Sequence, residues 1–171
     1  MGKVVIQSGF LARRLVSFPD DIGIRPSSSR VRKVLFDWLR FQLNGTTCLD
    51  LFSGSGILGF EAASHGCQSI TSVDQEPRAC HNIQQHINQF KLNQMKVLQQ
   101  SIPFNIQHQY DLILMDPPYN QRDKIGHLMQ WVLKKNALKS GGTLFLESDQ
   151  LFEIVDGWEL IKSKKVSSVW M

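Results

Sequence analysis

The sequence predicts an α/β fold: a mainly parallel sheet preceded by a small hairpin-plus-helix extension. Three observations carry this. Strand-like and helix-like segments alternate from Thr47 to Glu147, and strands separated by helices need crossover connections, which make parallel sheets. The runs Thr47 to Phe52 and Tyr110 to Met115 are apolar enough to be buried on both faces. The 171 residues, 42% apolar and 20% charged, suit a single packed core.

Residues 3–7 and 12–18 read as two short strands around Ser8-Gly9. Pro19 to Pro26 is a turn-rich connector, and Ser27, Ser28 or Ser29 can cap the helix that follows. Val31, Val34, Leu35, Trp38 and Leu39 recur at helical spacing, and Gly45 ends the helix. Arg30, Arg32, Lys33 and Arg40 fall off that stripe, so the helix is expected to dock its apolar face and hold its charges out.

A strand to Phe52 then leads through a glycine loop into a helix ending near His65. Ser69 to Val73 is a second strand, residues 76–90 a helix, Lys96 to Gln99 a weaker third strand, and Tyr110 to Met115 a fourth. A helix over 123–136 ends near Gly141-Gly142, and Thr143 to Glu147 is a fifth strand. Trp158 to Lys162 and Val166 to Trp170 read as a terminal pair. Residues 1–44 are expected to form a basic extension packed on a core of 45–171.

Composition excludes several classes. There is no run of about 18 apolar residues for a membrane span, and Met1 to Ile6 lacks the apolar run of a signal peptide, so a cytoplasmic protein is expected. Cys48, Cys67 and Cys80 form no C-x-x-C and are expected to be reduced and buried. The five histidines are scattered, His81 and His86 lie off a common helix face, and no metal site is expected.

Charge is unevenly placed. The net charge is +4, yet residues 1–40 hold eight basic side chains against three acids, and the other 131 residues hold 11 against 12. A basic lobe beside a neutral body suits a polyanionic partner, with a solvated helix face as the alternative.

Gly54, Gly56 and Gly59 spell G-x-G-x-x-G where the first core strand turns into a helix. Such glycines let backbone approach a ligand closely, and Asp74, 20 residues on, can accept hydrogen bonds from ribose hydroxyls. The loop alone does not separate a dinucleotide from S-adenosylmethionine. Asp50 argues for the second, because a carboxylate repels a pyrophosphate and attracts a sulfonium and an ammonium. It could instead cap the next helix.

Asp116-Pro117-Pro118-Tyr119 follows the fourth strand, whose carboxyl end should share the ligand crevice with the glycine loop. An Asp carboxylate and a proline carbonyl make two rigid acceptors, which suit an amino group, and Tyr119 offers a ring for a planar base.

With both motifs in place, the chain resembles the class I S-adenosylmethionine-dependent methyltransferases that modify exocyclic amino groups. Arg25-Pro26-Ser27-Ser28-Ser29-Arg30-Val31-Arg32-Lys33-Val34-Leu35-Phe36-Asp37-Trp38-Leu39, Cys48 to Gly56, Gly59 and Glu61-Ala62 resemble, more closely, the bacterial 16S ribosomal RNA guanine-N2 methyltransferases. The resemblance implies a Rossmann-like sheet, mainly parallel with an antiparallel last strand. It implies methyl transfer from S-adenosylmethionine to guanine N2 of small-subunit RNA, at guanine 966 in that family. It further implies a monomer that acts on the subunit or an assembly intermediate. It puts Asp50, Phe52, Ser53, Gly54, Ser55 and Gly56 around the methionine part of the cofactor, Asp74 and Gln75 at the ribose, and Ser101 and Ile102 at the adenine. Asp116, Pro117, Pro118 and Tyr119 would surround the target base, and Arg13, Arg14, Arg25, Arg30, Arg32 and Lys33 would face the RNA.

Overall fold

The structure, a computed structural model, describes residues 1–118, 123–151 and 153–171. The chain opens with an antiparallel hairpin of β1 (Gly2–Val5) and β2 (Leu15–Phe18). Helix α1 (Ser29–Leu39) follows, capped by Ser28, whose Oγ accepts the amide of Val31 at 3.2 Å.

The core then builds β3 (Thr47–Leu51), α2 (Ile57–Ser64), β4 (Ser69–Asp74), α3 (Pro77–Phe90), β5 (Met95–Gln99), β6 (Tyr110–Met115), α4 (Ile125–Lys134) and β7 (Leu138–Leu146). The five core strands lie in the order β5-β4-β3-β6-β7, all parallel. From β3 the chain steps outward through β4 to β5, then returns to place β6 on the other side of β3. The carboxyl ends of β3 and β6 therefore flank the point where the strand order reverses, the position at which such sheets open a ligand crevice.

Both faces of the sheet are buried, as its apolar strands require. Successive side chains alternate: Cys48, Leu112 and Leu114 join the cluster beneath α1, α2 and α3, while Leu49, Leu51, Ile113 and Met115 pack with Leu128 and Val132 of α4. Among the described residues no helix is long and apolar enough to cross a membrane. All three cysteines are free and buried, as expected, and no group of side chains able to hold a metal occurs among the described residues.

Three expectations change. The helix expected over 123–136 stops at Lys134, because Asn136 takes the left-handed conformation (φ 50°) that ends it, and β7 begins at Leu138. Gly141-Gly142 sits inside β7, at its register break against Tyr110 and Leu112. Trp158 to Lys162 forms no strand; Leu160 and Ile161 are 57% and 69% exposed, so the run has no sheet to bury it. The terminal antiparallel pair is β8 (Lys165–Val166) with β9 (Val169–Trp170), tied to the end of β7 by Ser148 and Trp170. It flanks the parallel sheet rather than extending it.

The third concerns Arg32, expected to face outward toward RNA. It is 3% exposed and pairs with Glu61 of α2, Nε to Oε1 at 3.2 Å. Val31, Leu35 and Leu39 are buried as the stripe predicts, but Arg32 turns inward beside them, where it meets the carboxylate. It is no phosphate contact.

Candidate active site

A cleft of about 820 Å³ opens over the carboxyl ends of β3, β4 and β6, within the size range of small-molecule sites. Its floor is the turn from β3 into α2. Ser53 stitches that turn: its Oγ donates to the Asp50 carbonyl at 2.8 Å and accepts the Val73 amide at 2.9 Å. Phe52, Gly54 and Gly56 all take positive φ (59°, 52° and 77°), which lifts the backbone toward the cleft. A Cβ on Gly54 would make ordinary van der Waals contact with Ile24 and the Phe52 carbonyl, at 3.5 and 3.9 Å, so it is the positive φ rather than crowding that asks for glycine there. A Cβ on Gly56 would come within 2.9 Å of Ile83. One glycine answers to the turn's conformation; the other lets the loop pack.

Asp74 ends β4 and clamps the loop. Its Oδ2 accepts the Gly54 amide at 2.7 Å and its Oδ1 accepts the Glu76 amide at 2.9 Å. Each oxygen keeps a further lone pair for a ligand hydroxyl. Asp50 is 1% exposed, and its Oδ2 accepts the Gly59 amide at 3.2 Å and the Ser72 hydroxyl at 3.3 Å. It both caps α2 and lines the cleft. Burial pushes its carboxyl up to about 7; the hydrogen bonds from Ser53, Ser72 and Gly59 oppose that rise, and the charge of Asp116 adds to it.

Asp116, Pro117 and Pro118 leave the end of β6 along the opposite wall. Tyr119, expected beside them, lies outside the described residues. Gln75 and Ile102 line the cleft as expected, whereas Ser101 is exposed and its neighbour Gln100 takes the wall position. Arg13, Arg14, Arg30 and Lys33 are exposed, and Arg25 stands exposed at the rim of the cleft. Arg14 lies over the Phe90 ring at 5.9 Å, and Lys33 pairs with Asp37 at 2.6 Å.

Several wall residues escape sequence reasoning. Ser27 is buried and donates to Asp116 Oδ2 at 2.9 Å. Glu147, 6% exposed, follows β7 and closes the acidic side. Its place after a parallel strand was the available signal. The β8–β9 turn, with Ser167 and Ser168, also lines the cleft. The C-terminal lysines also come into play: Lys162 lies over the Trp38 ring of α1 at 5.9 Å, and Lys162, Lys164 and Lys165 are all exposed.

The donor set suits S-adenosylmethionine. Asp50 would offer its carboxylate to the cationic end of such a cofactor, and Asp74 the remaining lone pairs of its two oxygens to ribose hydroxyls. The sheet order and the cleft at the switch point are those of the class I methyltransferase fold. The profile of the family described as conserved hypothetical protein 95 matches residues 4–171, and the chain belongs to that family.

Its relatives agree. The chain is 27% identical to the ribosomal RNA small subunit methyltransferase D of Buchnera aphidicola, over 98% of this chain and 90% of that one. It is 28% identical to the protein of the same name from Haemophilus influenzae, over 98% and 91%. A solved structure from Escherichia coli, described as a proposed methyltransferase, superposes with a TM-score of 0.88 at 24% identity, covering 99% of this chain and 95% of that one, and so shares the fold.

Proposed function

We propose that the protein methylates the exocyclic N2 of a guanine in 16S ribosomal RNA, guanine 966 by resemblance, on the small subunit or an assembly intermediate. The observation that carries this is the position of Asp116 and Pro117 at the end of β6, facing the Asp50–Asp74 side of one cleft. The ribosomal RNA named for the relatives supplies the substrate class.

S-adenosylmethionine, when bound, supplies the electrophilic methyl group. The chain's own residues do the rest. Asp116 and the Pro117 carbonyl accept the two N–H bonds of the guanine amino group and turn its lone pair, otherwise delocalised into the ring, toward the cofactor side. Alignment and fixed charge carry the rate, with no covalent intermediate on the protein. A paired guanine buries N2 in the minor groove, so the base must come from a loop or leave its stack.

Residues 1–44 serve as the RNA-facing extension, through Arg13, Arg14, Arg25, Arg30 and Lys33. Lys162, over the Trp38 ring of α1, and the exposed Lys164 and Lys165 add to that basic set.

The experiment is methylation with methyl-labelled S-adenosylmethionine of undermethylated small subunits, duplex DNA and a protein mixture, followed by nucleoside and amino-acid analysis. Label should appear as N2-methylguanosine from subunits. Label in N6-methyladenosine of DNA, or in protein glutamine, would replace the substrate.

A further inference from the structure

The amino-group grip leaves one buried contact unused. Ser27, 5% exposed, donates through Oγ to Asp116 Oδ2 at 2.9 Å, joining the N-terminal connector to the end of β6. Ser27 is itself held. Its carbonyl accepts from Arg32 Nη1 at 2.6 Å, while Arg32 Nη2 reaches the Val5 carbonyl at 3.0 Å and Nε reaches Glu61 Oε1 at 3.2 Å. The same Glu61 oxygen accepts the Gln7 amide at 2.9 Å. One buried guanidinium thus ties the hairpin, the connector, α1 and α2 together around the residue that touches Asp116.

We propose that Ser27 is a positioning residue for methyl transfer, its hydroxyl fixing the rotation of the Asp116 carboxylate for the incoming amino group. This rests on the assignment of Asp116 as the amino-group acceptor. The terminal torsion of an aspartate is soft and roughly two-fold, so a buried donor at 2.9 Å on one oxygen contributes to holding the carboxylate in one rotation. The donor also favours the charged form. That matters here, because Asp50, Asp74, Glu76 and Glu147 share the cleft with Asp116 and Arg25 is its one basic side chain among the described residues. A protonated Asp116 would accept the amino group poorly.

The test uses Ser27→Ala and Ser27→Thr in the full chain, with thermal melting to confirm folding. At saturating cofactor and subunits, Ser27→Ala should lower the single-turnover rate about 10- to 100-fold with the KM for subunits unchanged within about twofold. The acid limb of the rate profile should move to higher pH, since a donor to the charged form is removed. Ser27→Thr, which keeps the hydroxyl, should restore both. Carbon NMR of the Asp116 carboxyl, identified by its disappearance in Asp116→Asn, should show a higher titration midpoint in Ser27→Ala. A wild-type rate and acid limb in Ser27→Ala would overturn the proposal, as would a loss confined to cofactor affinity. If wild type methylates no acceptor, the assignment of the cleft fails, and the NMR midpoint alone decides Ser27.

Discussion

Asp50, Asp74, Glu76, Asp116 and Glu147 line the cleft against Arg25, while Arg13 and Arg14 of the hairpin, Arg30 and Lys33 of α1, and Lys162, Lys164 and Lys165 near the C-terminus are exposed. Asp50, Asp74 and Asp116 sit at or just past the carboxyl ends of strands, held by the Gly59 amide and Ser72, by the Gly54 and Glu76 amides, and by Ser27 in turn. The basic side chains stand in water on flexible stems. Burial makes the charges of Asp50 and Glu147 expensive and therefore specific in what they accept. Exposure makes each outer charge cheap, weak alone and effective only as a set. An enzyme that joins a cationic cofactor to a polyanionic substrate needs both kinds in adjacent places.

The largest effect should come from the cleft. Asp116→Ala should cut methyl transfer by roughly a thousand-fold in single-turnover assays while cofactor affinity, read by calorimetry, stays within a few fold. A near-normal rate would break the amino-group grip.

Arg32 sharpens the contrast, since it is an arginine of α1 that belongs to the interior. Removing one partner of a buried pair costs about 3–5 kcal/mol. Arg32→Ala should therefore drop the melting temperature by about 10 °C, whereas Arg30→Ala should leave it unchanged.

Asp74→Ala should weaken S-adenosylmethionine by about 10- to 100-fold, because charge-assisted hydrogen bonds are removed. An unchanged dissociation constant would remove Asp74 from the site.

Asp50 gives a pH signature. Its folded-state carboxyl, pushed up to about 7 from the ordinary 3.8, holds a proton that the unfolded chain has released. Its contribution to stability therefore falls as pH rises from about 4 to 7 and then levels off. A bound cation favours the carboxylate, so cofactor binding below pH 7 should release a proton, and affinity should fall with acidity. Calorimetry in buffers of different ionisation enthalpy reads both effects. Asp50→Asn should flatten the two profiles together, stabilising the empty fold at pH 8 while weakening the cofactor.

The cleft is more legible in the sequence than the surface is. The glycine loop, Asp74 and Asp116 are read from short spacings, because strand-to-turn-to-helix geometry is local. Arg32 is misread because a helical stripe records spacing within α1 and cannot see Glu61, 29 residues away, at the point of docking. Ser27 and Glu147 need the sheet order, which places distant segments over one switch point. Ser101 misses the wall by one residue, since the turn after β5 sets which side chain faces in. The lysines at 162, 164 and 165 are hidden in a nearly neutral total, and only the contact of Lys162 with Trp38 ties one of them to α1.

Two regions of opposite charge should bind two ligands separately. A salt titration of both binding reactions on the wild-type protein tests this most directly. Small-subunit affinity should fall linearly on a log–log plot with a slope of about −3 or steeper, and Arg30→Glu with Lys33→Glu should reduce that slope by roughly 0.7–0.9 for each phosphate no longer neutralised. S-adenosylmethionine affinity should change little over the same range, in both proteins. A flat subunit curve, or a cofactor curve as steep as the subunit curve, would contradict the separation of the two regions.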